Sequence, residues 1–176
     1  ARVDFENRSN SDKVILDTRG LKIKKVTLDS TSEETNFVLG KEDEFLGQSL
    51  TVNIQDNTKS ITVHYSTSPE APALQWLSPE QTAGKKSPFM FTQSQAILAR
   101  SWVLFQEKDG IRFTYEAKVQ VDPGLMAVMS AKNPQSKNAE GTYTFRMDQP
   151  IPAYLLAMAV GDFDFKALDK STGVYA

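Results

Sequence analysis

Apolar and polar residues alternate in short runs along this chain, each run ended by turn residues, and no stretch sustains a helical period. "ARVDFEN" sets Val3 and Phe5 against Arg2, Asp4 and Glu6 before breaking at "NRSNSD". "VILDT" and "LKIKKVTL" follow, then "TNFVLG", "SLTVNI" and "SITVHYST", joined by "GKEDEFLGQ" and "QDNTK". A period of two places successive side chains on opposite faces, so such runs read as half-buried strands. The first half is therefore expected to form antiparallel sheet with one wet face.

From Pro69 to Pro88 the alternation stops. Four prolines, Gly84 and Trp76 between Leu74 and Leu77 predict a loop of about 20 residues, packed around its aromatic centre. Strands are expected to resume with "FMFTQSQAILARSWVLF", "GIRFTYEAKVQV", "LMAVMSA" and "GTYTFRM". In "PIPAYLLAMAVGDFDF", Pro150 and Pro152 favour an extended backbone over a helix. The expected fold class is all-β, and 176 residues are enough for one sizeable core.

A net charge of -2 with mixed signs supplies no polybasic stripe for a phosphate backbone, so nucleic acid is not an expected partner. No apolar run approaches the roughly 20 residues of a membrane-spanning helix. The absence of cysteine removes thiolate nucleophiles and thiolate zinc sites, and leaves the compartment open between cytoplasm and a periplasmic or secreted location. With no initiator methionine and a start in mid-strand, the chain reads as an excised piece.

Catalytic constellations are missing. His64 is the sole histidine, and one imidazole cannot furnish the two or three nitrogens of a common zinc site. It reads as a partly exposed strand residue. No G-x-S-x-G elbow supports a serine triad, and "AGKKS" lacks the frame of a phosphate loop. Asp162 and Asp164 in "GDFDF" alternate beside Phe163 and Phe165 and read as a solvated face rather than a catalytic carboxylate pair.

Gln93 and Gln95 in "FTQSQAILARSW" are the unusual pair. On a strand they share a face, with Thr92, Ser94 and Ala96 on the other. Two primary amides give an uncharged ladder of donors and acceptors, suited to holding peptide groups and unsuited to acid–base work. From the residues alone, the pattern favours ordinary solvent-facing strand amides, or amides bonded to a neighbouring loop, over a binding ladder.

The run "ALQWLSPEQTAGKKSPFMFTQSQAILARSW" closely resembles the pattern A-L-Q-W-L-x-P-E-Q-T-x-G-K-x-x-P-[YF]-x-F-[ST]-Q-x-Q-A-I-x-A-R-S. That pattern belongs to the amino-terminal domain of zinc aminopeptidases of the leukotriene A(4) hydrolase and aminopeptidase N family. "LDTRGLKI" (16–23), "YEAKVQVDPGLMAVMSA" (115–131) and "QPIPAYLLAMAVGDFDF" (149–165) extend the resemblance in the family's order. It implies a twisted, saddle-like β-domain over residues 1–176, truncated at its start, that packs on a separate zinc-binding catalytic domain followed by helical domains. It also implies that the catalytic domain and its zinc lie outside this chain, which contains neither H-E-x-x-H nor G-x-M-E-N.

Carried across residue by residue, the resemblance implies that Gln95 contacts a bound peptide near its amino terminus, with Gln93 and Ala96 lining the same pocket. Gln75 and Gln81 are expected to be structural. The chain departs from the family after "ARSW", where Leu104, Glu107 and Asp109 replace a proline-containing turn of the form P-x-Q-D-T-P, and a turn through Gly110 is expected instead. A free-standing β-sandwich binding or adhesion module is the alternative reading, discriminated by whether the parent reading frame carries H-E-x-x-H downstream of Ala176.

Overall fold

Alternation becomes pairing in the computed structural model, which describes residues 1–29, 33–108 and 110–176. The fold is all-β, every strand pair being antiparallel among the described residues. It divides into two units, residues 1–73 with 96–111, and residues 74–95 with 112–176.

The first unit contains β1 (Arg2–Asp4), β2 (Lys13–Thr18), β3 (Lys22–Leu28), β4 (Phe37–Leu39), β5 (Gln48–Asn53) and β6 (Ser60–Ser66). They form two sheets, ordered β1-β6-β3 and β2-β5-β4. Leu16, Leu50 and Val52 from one sheet and Val26, Leu28, Ile61 and Val63 from the other make a single buried cluster. One face of each sheet is thus apolar and shared, as the alternation requires. The adjacent Lys24 and Lys25 both face solvent because the β3–β6 register shifts between Ile23 and Lys25, which inserts an extra residue and resets the faces.

The returning segment 96–111 is held into this unit by a buried cation. Within a short 3-10 helix, Ala99–Ser101, all three residues are buried. The Arg100 side chain is 5 % exposed; its Nε donates to Glu107 Oε2 at 2.6 Å and its Nη1 to the Leu46 carbonyl at 2.9 Å. Asp17 Oδ1 lies 3.8 Å from the same guanidinium, and Asp17 Oδ2 accepts the Glu107 N–H at 2.7 Å. Gly47, at φ 74°, makes the turn that offers the Leu46 carbonyl, and a Cβ there would meet the Thr18 carbonyl at 2.2 Å, so only glycine fits. Tyr65, whose phenol is pushed up to about 12 by burial, donates to the Trp102 carbonyl at 2.9 Å. Gly110 adopts φ 86° beside a Lys108-to-Ile111 turn bond, in keeping with the expected glycine turn; Asp109 lies outside the described residues.

The second unit contains β7 (Leu74–Leu77), β8 (Phe89–Thr92), β9 (Phe113–Gln120), β10 (Met126–Met129), β11 (Thr142–Ile151), β12 (Met158–Gly161), β13 (Phe165–Ala167) and β14 (Gly173–Tyr175). A four-stranded sheet runs β10-β12-β8-β7, with separate ribbons β11-β9 and β13-β14. β9 follows the alternation closely, with Phe113, Tyr115, Ala117 and Val119 half-buried and the residues between them exposed. The β11–β9 register breaks between Met147 and Ile151, where Pro150 has no N–H to give to the ladder.

Three expectations are corrected. The Pro69–Pro88 segment is not a continuous loop: it contains β7 and a 3-10 turn at Pro79–Gln81, and Trp76 is 60 % exposed rather than central to packing. β7 is the outermost strand of its sheet, so β8 flanks it on one side only. The "FMFTQSQAILARSWVLF" strand stops at Thr92 and gives way to a turn at Gln95–Leu98 and the 3-10 helix. Asp162 and Asp164 do not share a strand, because β12 ends at Gly161 and β13 begins at Phe165. The closing ribbon went unread from sequence. Asp169 Oδ1 accepts the Ser171 and Thr172 N–H groups at its turn.

Two outcomes follow from the first unit. Leu50→Ala, at a site with 0 % exposure, is expected to lower unfolding stability by about 3 kcal/mol in urea titrations. Burial outweighs the Arg100 contact and raises the Glu107 carboxyl above its ordinary 4.5, its Oε1 being buried with no hydrogen-bonding group on it among the described residues. A native pKa above the unfolded one means that the stability this group contributes is full below 4.5 and is lost as pH rises through the native value. Glu107→Gln should remove that decline in urea titrations repeated across pH. An unchanged slope would show that burial and ion pairing with Arg100 cancel, and loss of a rise with pH would show that the pairing outweighs burial.

Candidate functional site

Gln93 and Gln95 are both exposed and Ser94 between them is 3 % exposed, so the alternation read from sequence persists although the strand has ended. The reason for the ending is local. β12 reaches β8 at Phe91 and Met90 only, and β7 pairs as far as Thr92. Beyond Thr92 no strand pairs with this segment among the described residues, and side-chain hydroxyls bond to the backbone near β12. Thr92 Oγ1 accepts the Met158 N–H at 2.9 Å, and Ser94 Oγ donates to the Leu156 carbonyl at 3.0 Å.

The two glutamines are joined directly. The Gln95 N–H donates to Gln93 Oε1 at 3.1 Å, which occupies one lone pair of the Gln93 carbonyl. Ala96 is exposed, contrary to the face assigned to it by strand alternation, because the turn begins at Gln95. It stands on the far side of the boundary between the two units, which the chain crosses between Gln95 and Ala96. The site therefore offers neutral hydrogen-bonding groups and no charge of its own. The hydroxyls of Thr92 and Ser94, which support it, were visible in the alternating "TQSQ" and were not recognised as anchors.

Gln81 Oε1 accepts the Ser78 N–H at 2.9 Å and caps the Pro79–Gln81 turn, while Gln75 sits exposed on β7. Asp162 is exposed and ion-paired with Lys137, whose ammonium holds its carboxyl below the ordinary range. That keeps it ionised, not poised as a general acid. Asp164 exchanges backbone hydrogen bonds with Ala176, at 2.8 and 3.0 Å. His64 is exposed on β6 opposite Lys25. No three His, Cys, Asp or Glu side chains gather into a metal-holding group among the described residues. Nor is any helix there long and apolar enough to cross a membrane.

Known proteins share both the sequence and this architecture. Leucine aminopeptidase 2 of Yarrowia lipolytica is 37% identical over 176 residues, covering 98% of this chain and 27% of its own length. Leukotriene A-4 hydrolase of Xenopus laevis is 36% identical over 172 residues, covering 92% of the chain and 28% of its own length. The chain thus spans little more than a quarter of these curated relatives. The solved structure of native leukotriene A4 hydrolase from Saccharomyces cerevisiae superposes with a TM-score of 0.83 at 29% identity, over 97% of this chain and 26% of that one. The M1 zinc metallopeptidase of Deinococcus radiodurans, 17% identical with a TM-score of 0.67 over 93% of this chain and 38% of its own, shares the fold. The pattern of the Peptidase M1 N-terminal domain matches residues 1–155, from β1 through the turn at Ala153–Leu155, and the chain belongs to that family.

Proposed function

We propose that this chain is the non-catalytic amino-terminal domain of a zinc aminopeptidase, walling the active-site cleft and holding the amino-terminal region of a peptide through Gln93 and Gln95, with Ala96 following them in the chain. The observation that carries this reading is the exposed amide pair displayed beyond the end of β8. Relatives named as aminopeptidases support it.

The residues present do not fit zinc. With one exposed imidazole, no thiolate and no gathering of three His, Cys, Asp or Glu side chains among the described residues, zinc is assigned to another part of the full-length protein and no chemical step to this chain. Its contribution is positional. An uncharged amide pair can orient a peptide main chain without competing for the free amine against the carboxylates of a catalytic site, and a fixed geometry lowers the entropy still to be lost on reaching the transition state. Gln93 spends one carbonyl lone pair on the Gln95 N–H and keeps its NH2 and a second lone pair for a ligand, and Gln95 can likewise both donate and accept.

In the full-length protein, Gln95→Ala is expected to lower kcat/KM for aminoacyl-nitroanilide hydrolysis about tenfold, the effect of losing one good hydrogen bond. An unchanged kcat/KM would remove Gln95 from the substrate. A full-length reading frame without H-E-x-x-H would instead favour a binding module of the same fold.

A further inference from the structure

We propose that Ser94 is a positioning residue for peptide binding, acting through the glutamines on either side of it; this rests on the substrate role proposed above for Gln95. Three observations within the second unit point to it. Ser94 is 3 % exposed while both of its neighbours are exposed, so it is the one buried residue of the three. Its hydroxyl donates to the Leu156 carbonyl, 62 residues away, at 3.0 Å. The Gln95 N–H bond to Gln93 Oε1 then closes a ring across Ser94, so that the three residues move together.

The acceptor is itself fixed. Leu156 is buried and ends the 3-10 turn Ala153–Leu155, where its N–H donates to the Ala153 carbonyl at 3.0 Å. Pro152, at φ -72° and ψ 157°, sets the backbone leading into that turn. On the other side, the Thr92 Oγ1 bond to the Met158 N–H marks the last cross-link before Ser94. The hydroxyl of Ser94 therefore ties the segment to the Leu156 backbone beyond the end of β8, and it sets where two flexible amide side chains begin. Removing it leaves a buried carbonyl short of a donor and frees the segment to fluctuate, so the amides meet the peptide less often in the productive geometry.

The test is a double-mutant cycle in the full-length protein, using a tripeptide that the parent sequence cleaves. Ser94→Ala is expected to raise KM about fivefold while kcat changes less than about twofold, the mark of lost binding rather than lost chemistry. Ser94→Thr, which keeps the hydroxyl, should restore KM. On a Gln95→Ala background, Ser94→Ala should raise KM by clearly less than it does alone, because only Gln93 is then left for it to position. If Gln95→Ala raises KM while Ser94→Ala has no effect, or an effect that adds in full to it, the positioning role is overturned and the substrate role of Gln95 stands. If Gln95→Ala leaves KM and kcat unchanged, the substrate role fails and the role of Ser94 fails with it.

Discussion

A guanidinium shut away from water must be neutralised and hydrogen-bonded where it sits, and the loops of the first unit are arranged around that requirement at Arg100. Three separate parts of the chain answer it: Asp17 at the end of β2, the carbonyl of Leu46 in the turn before Gly47, and Glu107 in the returning segment. The same segment adds an isolated bridge, Asp17 to Phe105, and a Gln106 bond to the Ile15 carbonyl at 3.0 Å. Residues 96–111 are thus fixed to β2 by polar bonds at several points. The apolar cluster beneath supplies most of the burial, but it is the cation that dictates which loops meet.

In the second unit the governing constraint is the point at which strand pairing ceases. Each strand brings N–H and C=O groups that must find partners, and β8 finds them only as far as Thr92. Hydroxyls at Thr92 and Ser94 then bond to backbone groups near β12, and the segment keeps its alternation without a neighbouring strand. This arrangement leaves the two amides exposed on a segment anchored through Ser94. A paired strand would have spent the same backbone groups on a neighbour and brought that neighbour's side chains against the amides.

Much of this was legible in advance where one physical rule acted alone. β9, with its strict period of two, and the core residues Leu16, Leu50, Val52, Ile61 and Val63 are read directly from alternation. Alternation alone puts Lys25 on the face of Leu21 and Ile23, and its exposure comes from a bulge that depends on the opposing strand. Trp76 was misjudged for the same kind of reason: its exposure follows from β7 being outermost, a property of strand order rather than of residues 69–88. For the candidate site, pattern alone showed the amide pair and its common face. It did not show that the strand stops at Thr92, since that depends on β12, more than sixty residues along the chain.

The central claim is that the Gln93–Ser94–Gln95 segment presents its amides to a peptide main chain. The most direct measurement is a crystal structure of the full-length protein with a bound peptide whose scissile amide is replaced by a non-cleavable isostere. The account predicts the Gln95 carboxamide at about 2.9 Å from a main-chain nitrogen or oxygen near the peptide's amino terminus, with Ser94 still bonded to Leu156. A peptide bound with Gln95 turned away from it, or with both amides covered by another part of the protein, would contradict it.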